Sequence, residues 1–225
     1  FDMVVAEDVG LYKFDILGQR GLAKIKDALS VIQKNRPDED LIDIHNVRPF
    51  YTDQRLNNLV KKGDCIGCFY VESPAMRMLL RKLEVDNYLG LVAASSIIRP
   101  GVAKSGMMRE YIRRHKFPEA RKDAHPILWK LMEDTYGVMV YQEQVMQIFN
   151  VMGGYSLGEA DMIRRAMGKK KIKILEENRK RFTISSKKNG YVEEISQKVW
   201  SYIMAYANYG FNKAHAASYA MISYE

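Results

Sequence analysis

Helices in this chain are marked at both ends. In SLGEADMIRRAMG (156–168) Ser156 and Glu159 have the spacing of a capping box, in which the serine oxygen accepts from first-turn amides and the glutamate reaches back to the cap. Gly168 supplies the stop. Leu157, Ala160, Ile163 and Met167 recur between them at helical spacing, so a helix is predicted from about residue 157 to residue 167 with that stripe turned inward. ESPAMRMLLRKL is built the same way: Ser73 is the expected N-cap, Pro74 takes the first helical position, and Met76, Leu79, Leu80 and Leu83 form the stripe, with Arg77, Arg81 and Lys82 off it. QEQVMQIFNVM reads as a third helix, closed by Gly153-Gly154. A chain punctuated like this is expected to be mainly α with a few short β-strands.

The expected strands are few. GLYKFDILG (10–18) alternates, with Tyr12, Phe14 and Ile16 on one face and Lys13, Asp15 and Leu17 on the other, the pattern of a half-buried strand. Residues 138–141 read as a short strand ahead of the helix at 142, and CIGCFYVES alternates in the same manner. Residues 20–34 read as a helix, and RPDED opens an acidic, proline-flanked connection through about Asp53. The D-x-D at Asp38 and Asp40 belongs to that solvated connection and is not chosen as a metal site. The apolar run 89–98 stops at the turn signal Arg99-Pro100-Gly101 and is followed by the mixed helix MMREYIRRH. No internal repeat is visible.

With 47% hydrophobic and 28% charged residues in 225, the chain has enough apolar material for one large or two small cores, which excludes disorder. A formal charge of +8 favours polyanionic partners, nucleic acid ahead of a membrane surface. No apolar run approaches the roughly 20 residues of a spanning helix, and no signal-peptide pattern opens the chain, so a cytosolic location is expected. Cys65 and Cys68 form a lone C-x-x-C without a second ligand pair; two small packed side chains are expected in preference to zinc or redox chemistry. The first residue is Phe1, and Glu225 falls inside an uncapped pattern carrying His215, Tyr219 and Ile222 at helical spacing, so a piece of a longer protein is expected.

Three basic constellations carry the functional reading. Arg164 and Arg165 lie beside the 157–167 stripe and are followed by Lys169, Lys170 and Lys171. A solvated face with an Asp161–Arg165 pair is one reading of that cluster; an anion-binding edge is the other. In YGFNKAHAASYA (209–220) Lys213 sits in a first turn capped by Asn212, where the helix dipole disfavours a cation. Free first-turn amides and an ammonium pointing outward together suit an anion such as phosphate, whereas a lysine stretched into water is the plainer alternative. No G-x-x-x-x-G-K-[ST] is present, so neither cluster is a P-loop. Lys13 and Asp15, two apart on one strand face, suit a site where a carboxylate holds a divalent metal and an ammonium meets phosphate, or else a surface ion pair.

Six separated stretches, KFDILGQRGL (13–22), GCFYVESPAMRMLL (67–80), IRPG (98–101), TYGVMVYQEQVMQI (135–148), GYSLGEADMIRRAMGKKK (154–171) and YGFNKAHAASYAMISY (209–224), together resemble the bacterial DNA polymerase III alpha subunits, the C-family DNA polymerases. The resemblance implies that residues 1–20 end a palm domain with a polymerase-beta-like nucleotidyltransferase core. It implies that residues 21–225 are the helical fingers domain. The implied activity is template-directed transfer of deoxynucleotides from dNTPs to a DNA primer 3′ end. By position, Asp15 matches the third metal-binding aspartate of the catalytic triad and Lys13 a palm lysine close to the triphosphate. Arg164 and Arg165 match fingers arginines that approach the nucleotide phosphates, and Arg99 of IRPG is retained. Asn212, Lys213 and His215 match residues lining the nucleotide pocket, with His215 where a ring excludes a ribose 2′-hydroxyl.

The resemblance further implies two Mg2+ ions, primer–template DNA, and a sliding clamp and other replicase subunits bound through regions outside this chain. The other two triad aspartates fall upstream of residue 1, so the isolated chain is expected to lack polymerase activity. IIRPGVAKSG is closer to error-prone paralogues while RRAMGKKK is closer to the replicative enzymes, and both readings stand. Two further classes remain open: a non-catalytic basic nucleic-acid-binding module, and a metal-dependent nuclease using Asp15, which is disfavoured because a two-metal site needs more carboxylates.

Overall fold

In the computed structural model, which describes residues 2–14, 16, 18, 20–40, 42–168, 172–206 and 210–225, helices carry most of the chain. It divides into two units, Phe1–Asp43 and Ile44–Glu225. The first unit holds α1 (Met3–Asp8), capped by the Asp2 carboxylate, which accepts from the Val5 amide at 2.9 Å, and α2 (Arg20–Asn35), the helix expected over 20–34. Residues 11–14 between them have no regular secondary structure, and Tyr12, Phe14 and Ile16 are 84, 84 and 97% exposed. The half-buried strand expected there is therefore not formed. A strand needs a neighbour for its backbone ladder, and the described residues contain no other strand to supply one. Asp15 and Leu17 of that stretch lie outside the described residues.

The second unit begins with α3 (Arg48–Thr52), α4 (Gln54–Lys62), α5 (Pro74–Leu83), α6 (Tyr88–Ile97) and α7 (Pro100–Lys104). It continues with α8 (Met107–Lys116), α9 (Pro126–Leu131), α10 (Gln142–Gly153) and α11 (Leu157–Gly168), and ends with α12 (Ile172–Lys188), α13 (Glu193–Tyr206) and α14 (Lys213–Tyr224). On α5 the Ser73 hydroxyl accepts from the Met76 amide at 3.2 Å, and Met76, Leu79, Leu80 and Leu83 are all buried. The capping box of α11 forms as well: the Ser156 amide donates to Glu159 Oε2 at 2.9 Å and the Glu159 amide to Ser156 Oγ at 3.3 Å. Ala160, Ile163 and Met167 are buried, whereas Leu157 stays 60% exposed.

The core centres on α6, whose residues 91–97 are all buried, as befits a helix that is apolar or small on every side. Helix α14 packs against it. The buried face of α14 is Ala216, Ala220 and Tyr224, the methyl side chains letting the two axes approach, while His215 is exposed and Tyr219 and Ile222 are half-buried. Tyr224 donates its hydroxyl to Asn57 Oδ1 at 2.9 Å, and Tyr88 donates to the Ala217 carbonyl at 2.8 Å. A second focus is the aromatic knot of Phe149, Tyr155, Phe182 and Trp200, drawn from α10, α12, α13 and the α10–α11 turn, with ring centroids 5.4–5.8 Å apart.

Of the other two expected strands, residues 138–141 are buried but contribute one rung, a parallel bridge between Tyr141 and Phe211. The Cys65–Cys68 stretch is a chain of turns, with Gly67 and Tyr70 at φ 82° and 68°, conformations outside the strand region. Cys65 is buried, its thiol pushed up to about 11 by desolvation, and Cys68 is exposed. No helix among the described residues is long and apolar enough to cross a membrane.

Candidate functional site

The start of α14 is held from three directions. Asn212 caps it, its Oδ1 accepting from the His215 amide at 2.7 Å. The Lys213 amide donates to both carboxylate oxygens of Glu143, at 3.1 and 3.2 Å. The Lys213 ammonium lies 2.7 Å from Asp134 Oδ2 and 4.9 Å from the centre of the Tyr141 ring. The expected cap is present, but the first-turn amides of Lys213 and His215 already have acceptors. The cation placed at the positive end of the dipole is balanced by the chain's own carboxylates. Two cavities share Lys213, Asp134 and Tyr141: one of about 280 Å³ reaches Tyr111, His115 and Tyr136, and one of about 560 Å³ reaches Lys130, Glu143 and Gln147.

Arg164 reaches the same place from α11. Its Nε and Nη2 donate to Asp161 Oδ1 at 2.9 and 2.8 Å, and its Nη1 donates to Gln142 Oε1 at 2.9 Å. The Gln142 amide nitrogen in turn donates to the Gly210 carbonyl at 3.0 Å, and its backbone N–H donates to the Phe211 carbonyl at 2.9 Å. Arg99 stands with its guanidinium carbon 4.7 Å from the centre of the Phe211 ring, and His215 packs between Phe211 and Tyr219 at centroid distances of 5.4 and 4.3 Å. Arg99, Arg164, Asn212, Lys213 and His215 are thus gathered around residues 210–215. Arg165 shares Asp161 with Arg164, through Oδ2 at 2.7 Å, but it is 70% exposed and borders the cavity between α11 and α12. The two guanidiniums, Arg164 first, hold the Asp161 carboxyl below the usual carboxylate range.

Gln142, Glu143, Asp134, Tyr141 and Phe211 were not singled out from the sequence. The first two belong to QEQ at the head of α10, which read only as the start of a helix, and their partners lie 22 to 70 residues away. Lys13 belongs to the first unit and Asp15, Lys169, Lys170 and Lys171 lie outside the described residues. Among the described residues no group of three or more His, Cys, Asp or Glu side chains could hold a metal ion. A single aspartate does not make a two-metal site either.

A profile of the bacterial DNA polymerase III alpha subunit finger domain matches residues 21–190. Over 222 residues, 99% of the chain, the sequence is 40% identical to the DNA polymerase III subunit alpha of Staphylococcus aureus strains COL and N315 and 39% identical to that of Staphylococcus epidermidis. The chain spans about a fifth of the length of these curated relatives, 20% in each.

Proposed function

The chain belongs to the bacterial DNA polymerase III alpha subunit finger domain family, and from that premise we propose that it forms the fingers of a C-family DNA polymerase, replicative or error-prone, and binds the phosphates of an incoming dNTP. The observation that carries the reading is the gathering of Arg99, Arg164 and Lys213 about residues 210–215 of one unit. Phosphoryl transfer asks little covalent chemistry of the protein and much charge neutralisation, which side chains of this kind supply. Arg165, tied to the same carboxylate as Arg164, extends the positive edge, Asn212 sets the first turn that presents Lys213, and His215 offers a ring against the sugar. Residues 1–20 are read as the end of the palm and residues 21–225 as fingers. By family likeness Lys13 is a phosphate-facing lysine and Asp15 one catalytic metal ligand, the remaining Mg2+ ligands belonging to other parts of the complete polymerase. Primer–template DNA is the second substrate, with clamp and other replicase subunits docking elsewhere. The isolated chain has no polymerase activity on this reading, and primer extension by purified residues 1–225 would overturn that statement.

The deciding experiment compares dNTP and duplex affinities of the complete polymerase. Arg164→Ala and Lys213→Ala weaken dNTP binding about tenfold or more, the worth of one charge-assisted hydrogen bond, and leave primer–template affinity within about twofold. A second reading, a backbone-gripping nucleic-acid module, draws support from Lys173, Arg179, Lys180, Lys187 and Lys188 of α12, which are exposed and have no carboxylate partner among the described residues. That reading prevails if the two substitutions leave dNTP affinity unchanged and lower duplex affinity with a reduced salt slope.

A further inference from the structure

Three successive residues at the head of α10 face three different jobs. Gln144 Oε1 accepts from the Val140 and Tyr141 amides at 2.7 and 2.9 Å, which fixes the backbone that bridges Phe211. Glu143 takes the first amide of α14. Gln142 alone touches both cationic elements of the site: it accepts from Arg164 and donates to the Gly210 carbonyl, three residues ahead of Lys213. The amide carries a donor and an acceptor on one rigid planar group, and neither an ionised Glu, which only accepts, nor Lys, which only donates, reproduces both contacts. The approach is close: a Cβ added to Gly210 would stand 3.2 Å from Gln142 Cγ and 3.4 Å from its backbone nitrogen, and the glycine leaves that space to the glutamine.

Resting on the reading of the site given above, we infer that Gln142 is a positioning residue that locks Arg164 to the segment leading into α14, so that the arginine of one helix and the lysine of another present a single preset spacing to the triphosphate. Gln142 makes no contact with the nucleotide in this scheme and acts through Arg164 and Gly210. Its loss frees the guanidinium to follow Asp161 alone and relaxes the register between α11 and α14.

The test uses the complete polymerase with Gln142→Ala, Gln142→Glu, Arg164→Ala and the Gln142→Ala/Arg164→Ala double variant. Steady-state primer extension is titrated with dNTP, and primer–template affinity and melting temperature are recorded for each. Gln142→Ala is expected to raise the dNTP KM roughly tenfold with kcat changed less than about threefold and primer–template affinity unchanged. Gln142→Glu, equal in size, keeps the acceptor and loses the donor, and it raises KM as well; it decides the matter if the alanine variant fails to fold. In the double variant the KM is no worse than in Arg164→Ala alone, since both changes break one unit. A KM within about twofold of the unaltered enzyme for Gln142→Ala and Gln142→Glu, or effects that multiply with Arg164→Ala, overturns the inference while leaving the reading of the site intact. An unchanged dNTP KM in Arg164→Ala overturns the reading of the site itself and the inference with it.

Discussion

Gln144 is buried, and each of its side-chain atoms that can form a hydrogen bond has a partner: Oε1 serves two backbone amides, and Nε2 donates to Thr135 Oγ1 at 2.7 Å, whose own proton goes to the Val138 carbonyl at 2.7 Å. Replacement by leucine preserves bulk and leaves the Val140 and Tyr141 amides without an acceptor in a region sealed from water. Each stranded buried donor costs about 1–3 kcal/mol, so Gln144→Leu, which strands two, is expected to destabilise the chain by about 2–6 kcal/mol. Urea denaturation checks this, and a loss below about 1 kcal/mol would show that water reaches residues 138–141. At this scale the sequence was least readable. The spacing of QEQ identifies polar first-turn residues but not what they face, since the side-chain partners of Gln142 and Glu143 lie between 22 and 70 positions further on.

At the scale of elements, α5 and α11 were legible to within a residue because caps, stripe and stop are all local properties. Strands are not local: the alternation over residues 10–18 and 138–141 is real, but pairing depends on a distant backbone, and it reduces to one rung at Tyr141. The buried face of α14 is set in the same non-local way, since close packing against α6 selects the small Ala216 and Ala220. Close packing also governs the end of α10. A Cβ on Gly153 would stand 2.6 Å from two carbons of the Tyr155 ring and 2.9 Å from Phe182, both fully buried. Gly153→Ala, ordinarily favourable inside a helix, is therefore expected to destabilise by about 1–3 kcal/mol through overpacking, read as a lower thermal midpoint. A raised midpoint would mean that the aromatic knot yields more readily than its burial implies.

Across the molecule, carboxylates clasped by arginines set the response to acid. Arg113, with Arg114, holds the Glu110 carboxyl below its usual range; Arg164, with Arg165, does so for Asp161; and the Ser156 amide, with Arg181, does so for Glu159. Depressed values mean that the stabilisation is complete above the ordinary carboxylate range and is lost as pH falls through the lowered ones. The urea midpoint should hold from neutral pH down to about 5 and drop below about 4. Arg55 lowers the Asp53 carboxyl in the same way, so Glu225, raised by burial and working in the opposite sense, stands alone against four, and a midpoint that rises below pH 4 would refute this balance. The bridge between Tyr141 and Phe211 has its own consequence for the polymer. It ties off a loop of some 70 residues containing α10 to α13, and closing such a loop costs about 4 kcal/mol, a term that grows only with the logarithm of contour length. Inserting a few residues at the turn around Gly190 would hardly change that entropy, whereas cutting the chain there would abolish it and leave the clasp to join two separate strands of polypeptide.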